Sequence, residues 1–185
     1  MQENNSPIEH LELVSEMNRL FLSFLHERAV RRADCLGLDA DTCKLLRLAT
    51  DAQLDRAATL PRALFTIDVE PGCAVDVLRE RDSGDLIALY SLQSKLLLSA
   101  RNLCRQNAHL AQTFLGLPAR VLIRLRCLTL MDLVTLAETA SLVAAGFERE
   151  PWLWRELLRH TDATEQRRLR LLALQPRASD LNLHA

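Results

Sequence analysis

The chain has 185 residues, 49% of them apolar and 25% charged, with a formal net charge of −1. That is enough apolar content to bury a core, and a leucine-dominated composition with few aromatics and glycines favours helix over sheet. No apolar run reaches the roughly 18 residues that a bilayer crossing needs, and the opening MQENNSPIEH lacks a basic patch followed by an apolar stretch, so a cytoplasmic protein without membrane contact is expected.

The first element starts cleanly. Ser6 can cap, Pro7 fits the first helical position, and Glu9 completes a capping box. Ile8, Leu11, Val14, Met17, Phe21 and Phe24 recur at helical spacing, which predicts one long helix over 7–33. Gly37 allows the chain to stop and turn. A short helix follows over 39–48. Thr50 and Gln53 then form a second capping box, opening a helix to about 59. Pro61 interrupts, and a less regular segment runs to Pro71 and Gly72, with a short helix over 74–80. Asp82, Ser83, Gly84 and Asp85 offer a turn and cap for a long helix to about 113, striped by Leu86, Leu89, Leu92, Leu96, Ala100 and Leu103.

After that the pattern returns. Gly116 turns the chain, Pro118 starts a short helix, and Thr129 to Asp132 resembles another cap. Pro151 starts a helix through His160, and Asp162 caps a last one that Pro176 ends, leaving 177–185 as a loose tail. At an offset of 79, Leu36, Gly37, Leu38, Ala40, Leu46, Arg47, Thr50, Leu54 and Ala58 are matched by identical residues, and Glu70-Pro71 recurs one insertion later as Glu150-Pro151. Identity at turn and cap residues carries more weight than identity at leucines. The reading is an all-α chain of two similar modules, over 6–82 and 83–176. They would pack about a pseudo-two-fold axis, like a dimer joined into one chain.

The core of each module is two short helices with a tight connection, a helix-turn-helix pattern. In the second copy, LGLPARVLIRLRCLTLMDLVTLAETASLV resembles the FlhD family, a subunit of the bacterial flagellar master regulator. The Leu-Gly turn, the LTL connection and LAET with its trailing Leu-Val carry the resemblance. It extends upstream into SLQSKLLLSARNL and downstream to RELLRH, and the first copy, LGLDADTCKLLRLATDAQLDRAA, is more diverged. The resemblance implies an all-helical fold. It also implies a transcriptional activator subunit that acts on promoter DNA with a zinc-binding partner, FlhC. One chain would then do the work of an FlhD dimer, possessing no cofactor or metal of its own and taking no small-molecule substrate. This sequence departs from the family in its fusion and length. Cys35 and Phe114 stand where the family often has Arg, and Ala140 where it often has Asn.

Charge is spread unevenly. Residues 1–80 hold nine Lys/Arg against fourteen Asp/Glu, and residues 81–185 hold fourteen against ten. Arg120 and Arg124 lie one turn apart with Arg126 nearby, suited to phosphate contact. Their first-copy counterparts are Asp41, Leu45 and Arg47. Helical arginines more often occupy a solvated face or pair with carboxylates. The following helix, which enters the groove in ordinary helix-turn-helix proteins, carries Asp132 and Glu138 and no cation. Weak DNA binding by the chain alone is therefore expected, with a partner adding affinity. Trp152 and Trp154 are candidates for that partner's surface, against the alternative that they cover the terminal helix. Arg81 and Asp82 are candidates by family position only. A helical adaptor that keeps the fold without touching DNA is the alternative function.

The five cysteines (35, 43, 73, 104 and 127) include no CxxC pair, so a structural metal is not expected and free thiols are, with a regulatory or inter-subunit disulfide at an exposed cysteine as the alternative. The five histidines are scattered, and no phosphate loop or dinucleotide fingerprint occurs. Nothing argues for catalysis.

Overall fold

The computed structural model describes residues 7–31, 33–69, 83–139, 142–147, 150–159 and 162–174. Within them are nine helices: α1 (Pro7–Val30), α2 (Ala40–Leu48), α3 (Asp51–Ala58), α4 (Ser83–Gln106), α5 (Ala108–Leu115), α6 (Ala119–Cys127), α7 (Leu130–Thr139), α8 (Pro151–Arg159) and α9 (Ala163–Ala173). Two three-residue strands, β1 (Phe65–Ile67) and β2 (Val143–Ala145), pair antiparallel, with Phe65 opposite Ala145 and Ile67 opposite Val143. The expected helix over 74–80, the Arg81 and Asp82 turn, and the tail lie outside the described residues.

The two long helices α1 and α4 cross at the centre and run antiparallel. Arg28, near the end of α1, pairs with Asp85 at the start of α4 at 3.1 Å. At the other end, Glu9, Glu12 and Glu16 share a groove with Ser99, Asn102 and Gln106. The pairs α2/α3 and α6/α7 pack on α1 and α4 respectively, and α8 crosses back to cover α2 and α3. The chain therefore interleaves. Gln53 of α3 donates to the Leu158 carbonyl at 3.1 Å, and β1 and β2 join the two halves of the sequence.

Several expectations need correction. The all-α class holds, with one small sheet added: the β-branched and aromatic residues of Phe65-Thr66-Ile67 pair with Val143-Ala144-Ala145, where Pro61 had suggested only irregular chain. The long helix expected to 113 breaks at Asn107, whose backbone turns extended (φ −152°, ψ 100°) and whose side chain caps α5 by accepting from Leu110 N. An Asn read as helix interior acts as an N-cap. The Leu-Gly turns also differ in geometry. In the first, Leu36 and Gly37 both take positive φ, 56° and 91°. In the second, α5 runs up to Leu115 and Gly116 alone (φ 63°) ends it.

The long helices correspond at a different offset from the short ones. Moving α1 by 75 places Val14, Met17, Asn18, Phe21, Leu22, Leu25, Arg28 and Ala29 on Leu89, Leu92, Gln93, Leu96, Leu97, Ala100, Leu103 and Cys104, and all sixteen are buried. The difference from 79 is four residues, about one helical turn. Two polar contacts obey the same offset. Asn18 Nδ2 donates to the carbonyls of Ala58, Leu60 and Arg62 at 3.3, 3.2 and 3.0 Å, and its Oδ1 accepts from Leu64 N at 2.8 Å. Gln93 Nε2 donates to the Ala137 carbonyl at 3.0 Å, and its Oε1 accepts from Leu142 N at 2.6 Å. Each carboxamide ties the end of the second short helix to the approach of the strand. Likewise His26 Nδ1 donates to the Leu46 carbonyl and Arg101 Nε to the Leu128 carbonyl, both at 2.7 Å, at the ends of α2 and α6.

Candidate interaction surface

The short helices α6 and α7 are built like α2 and α3. Leu46 and Leu125 are buried at matching positions, as are Leu54 and Leu133, and Ala58 and Ala137. The connections bend alike: Ala49 (φ −66°, ψ 137°) and Leu128 (φ −62°, ψ 137°) both end their helix in extended backbone. Thr50 and Gln53 form the capping box of α3. In α7, Asp132 N donates to Thr129 Oγ1 at 3.1 Å, while Thr129 N and Oγ1 donate to Asp132 Oδ2 at 2.8 and 2.7 Å. The Thr129 hydroxyl, and then its backbone N–H, hold the Asp132 carboxyl below its ordinary range.

The outward faces differ. On the first pair they are mainly ionic, with Leu48 as an exposed apolar exception: Lys44 pairs with Asp41 at 3.0 Å, and Arg19 reaches Asp51 at 3.2 Å and Asp55 at 2.5 Å. On the second pair the counterparts of Lys44, Asp51 and Asp55 are Ile123, Leu130 and Val134, and the counterpart of Arg19 is Ser94. Ile123, Leu130 and Met131 are 63%, 57% and 72% exposed, and Val134 is exposed as well. A charged surface in one half is thus an apolar surface in the other, on the same scaffold. Solvent-facing apolar side chains grouped in this way mark interaction surfaces more often than they serve stability.

The arginines frame this face and fall into two sets. Arg120 is exposed and Arg124 half-buried, four residues apart on one flank of α6. Arg126 is exposed and turns to the other flank, where it lines a cleft of about 440 Å³ with Arg105 of α4, Ile123 and Cys127. The three arginines therefore do not form one cluster. Arg105 was not singled out from the sequence. Arg101 and Arg105 lie one turn apart in RNLCRQ, but their approach to α6 depends on tertiary packing.

No family model matches the chain, and no curated protein or solved structure matches it either.

The two tryptophans have different roles. Trp152 is 44% exposed. Trp154, one of the candidates for a partner surface, is 1% exposed and belongs to the core. Its Nε1 donates to the Gly146 carbonyl at 2.8 Å and its ring lies 6.5 Å from that of Phe21. Pro151 starts α8 so that Leu153, Trp154, Leu157 and Leu158 face inward, leaving Trp152 outside. Arg81 and Asp82 lie outside the described residues. Asp85, in the first turn of α4, is engaged by Arg28 and Arg31 at 3.1 and 3.6 Å. Among the described residues no group of three or more His, Cys, Asp or Glu could hold a metal ion, and no helix is long and apolar enough to cross a membrane.

Proposed function

We propose that the chain is an FlhD-like transcriptional regulator subunit, two modules fused as a pseudo-dimer, that activates transcription with an FlhC-like zinc-binding partner at promoter DNA. The observation that carries the reading is the contrast between α2/α3 and α6/α7: one scaffold, ionic outside in the first half, apolar and framed by arginines in the second. Exposed apolar side chains beside arginines suit a protein partner, and arginines at the flank suit phosphates. Support for the fused pseudo-dimer comes from the 75-residue correspondence of the buried long-helix faces, the paired Asn18 and Gln93 staples, and antiparallel strands at equivalent positions.

The regulator reading predicts weak DNA binding by the chain alone. Its test is a low-salt gel shift on promoter DNA with and without a cysteine-rich, zinc-binding helical protein encoded beside this chain. Binding that appears only with the partner, and weakens on Arg120→Gln and Arg124→Gln, is expected. Tight, sequence-specific binding by the isolated chain overturns it. One observation favours a second reading, a helical adaptor that binds protein only: α7 exposes Leu130, Met131, Val134, Asp132 and Glu138 and has no cation to offer a groove. A stable partner complex without any DNA shift would select it.

A further inference from the structure

We infer that the groove between the start of α1 and the end of α4 binds a linear aliphatic polyamine. Glu9, Glu12 and Glu16 of α1 line it together with Ser99, Asn102 and Gln106 of α4, around a volume of about 330 Å³. The three glutamates are exposed and lie at i, i+3 and i+7, so they share one face of α1. No Lys or Arg is among the described residues that line the groove. Among the described residues, none of the three carboxylates has an ion-pair or hydrogen-bond partner. The dipole of α1 accounts for a carboxylate at Glu9, in the first turn, but not for Glu12 and Glu16 beyond it. His10 lines the same groove and is only 3% exposed. A polar group so buried normally has a hydrogen-bond partner, yet the His10 side chain has none among the described residues. At the 75-residue offset the counterparts of Glu9, Glu12 and Glu16 are Gly84, Ile87 and Ser91, so α4 does not repeat the row.

Spacing selects the class of cation. Helical side chains three and four residues apart stand about 5–6 Å apart at Cβ, so the row from Glu9 to Glu16 extends over roughly 10 Å. Ammonium groups separated by three or four methylenes match that row, and half-buried Leu13, which also lines the groove, meets the methylenes. A neutral imidazole has one ring nitrogen that accepts, so His10 can take an ammonium N–H, and the hydroxyl and carboxamide oxygens of α4 offer further acceptors. Gln106 is the last residue of α4, and the C-terminal end of a helix favours a cation. A compact divalent ion does not match: among the described residues no group of three or more His, Cys, Asp or Glu could hold one. The positive end of the α1 dipole opposes a cation most at Glu9, so Glu12 and Glu16 carry most of the attraction. The site uses neither α6 nor α7 and stands apart from the regulator reading.

The test is calorimetric titration of the full chain with spermidine at physiological ionic strength, with magnesium chloride and a tetralysine peptide as the other probes. One saturable spermidine site is expected, weakened about tenfold by Glu12→Gln with Glu16→Gln and less by Glu9→Gln. His10→Phe, which removes the acceptor, lowers the affinity while circular dichroism stays unchanged. Should that variant fail to fold, the wild type gives the readout: spermidine shifts the ring nitrogens of His10, and not those of the other histidines, in a long-range proton–nitrogen correlation spectrum. Absence of saturable binding overturns the inference. So does equal affinity in the double glutamate variant or in folded His10→Phe, or a His10 ring that does not respond. Tetralysine binding as tightly as spermidine assigns the groove to a basic protein segment, and magnesium binding as tightly reduces it to general charge attraction; either result overturns the polyamine site.

Discussion

Asn18 shows what one buried side chain does in this molecule. It is fully buried and satisfies three carbonyls and one N–H. Replacement by Leu keeps the volume and orphans those backbone groups, each costing about 1–3 kcal/mol if left unpaired. Asn18→Leu is therefore expected to destabilise by about 3 kcal/mol in urea denaturation, and Gln93→Leu, which orphans the Ala137 carbonyl and Leu142 N, is expected to destabilise in the same direction. The glycines of the two turns give a sharper comparison. A methyl at Gly37 meets nothing within 4 Å, whereas at Gly116 it runs into the guanidinium of Arg62, which is buried and donates to the Ala173 carbonyl at 3.4 Å. Gly37→Ala should cost about 1 kcal/mol from its positive φ alone. Gly116→Ala should cost about 3 kcal/mol, because Arg62 must also move. Equal losses in the two variants would contradict this. Sequence identity made the two glycines look interchangeable; the neighbour that separates them lies 54 residues away along the chain.

At the scale of elements, caps were the most legible feature. Thr50, Thr129, Pro151 and Asp162 start helices close to the expected positions because a cap needs only residues local in sequence. Asp39 is another such cap, accepting from Asp41 N and Thr42 N at 3.0 Å each and from Thr42 Oγ1 at 2.7 Å. The Thr42 hydroxyl, then the backbone N–H groups and the charge of Arg155, lower its carboxyl below the ordinary value. A lowered folded value means a contribution fully present above the ordinary carboxylate range and lost as pH falls through the folded value. Asp39→Ala should thus cost about 1 kcal/mol at neutral pH, a difference from wild type that shrinks when denaturation is repeated below the carboxylate range. The break at Asn107 and the pairing of β1 with β2 were not legible. Asn107 sits in a run with continuous helical periodicity, and strand pairing joins segments 78 residues apart. The α6/α7 face was half legible: Arg120 and Arg124 could be read from spacing, but exposure of Ile123, Leu130 and Met131 depends on what α4 and α7 bury. Leu130→Ser with Met131→Ser should leave stability within about 0.5 kcal/mol of wild type while reducing partner capture. A large loss of stability would place these side chains in the core instead.

For the whole molecule, the important fact is interleaving. The 79-residue echo correctly located two helix pairs. The long helices that open each module, α1 and α4, correspond at 75 rather than 79 and share few identities: Asn18 answers Gln93, and His26 answers Arg101. Packing conserves a buried pattern and a polar function at a position, not the residue type. With α8 laid over α2 and α3, and β1 bonded to β2, neither half can open without exposing the other. Thermal or urea unfolding should show one transition, coincident by circular dichroism and tryptophan fluorescence, since Trp154 contacts Phe21 across the halves.

The central claim is that the second helix pair serves a protein partner that brings the chain to DNA. The most direct measurement is the salt dependence of promoter binding by the partner complex, for wild type and for Arg120→Gln with Arg124→Gln. The predicted result is binding only in the complex, with the slope of log affinity against log salt shallower in the variant by about one unit for each phosphate no longer neutralised. An unchanged slope, or tight specific binding by the chain without a partner, would contradict it.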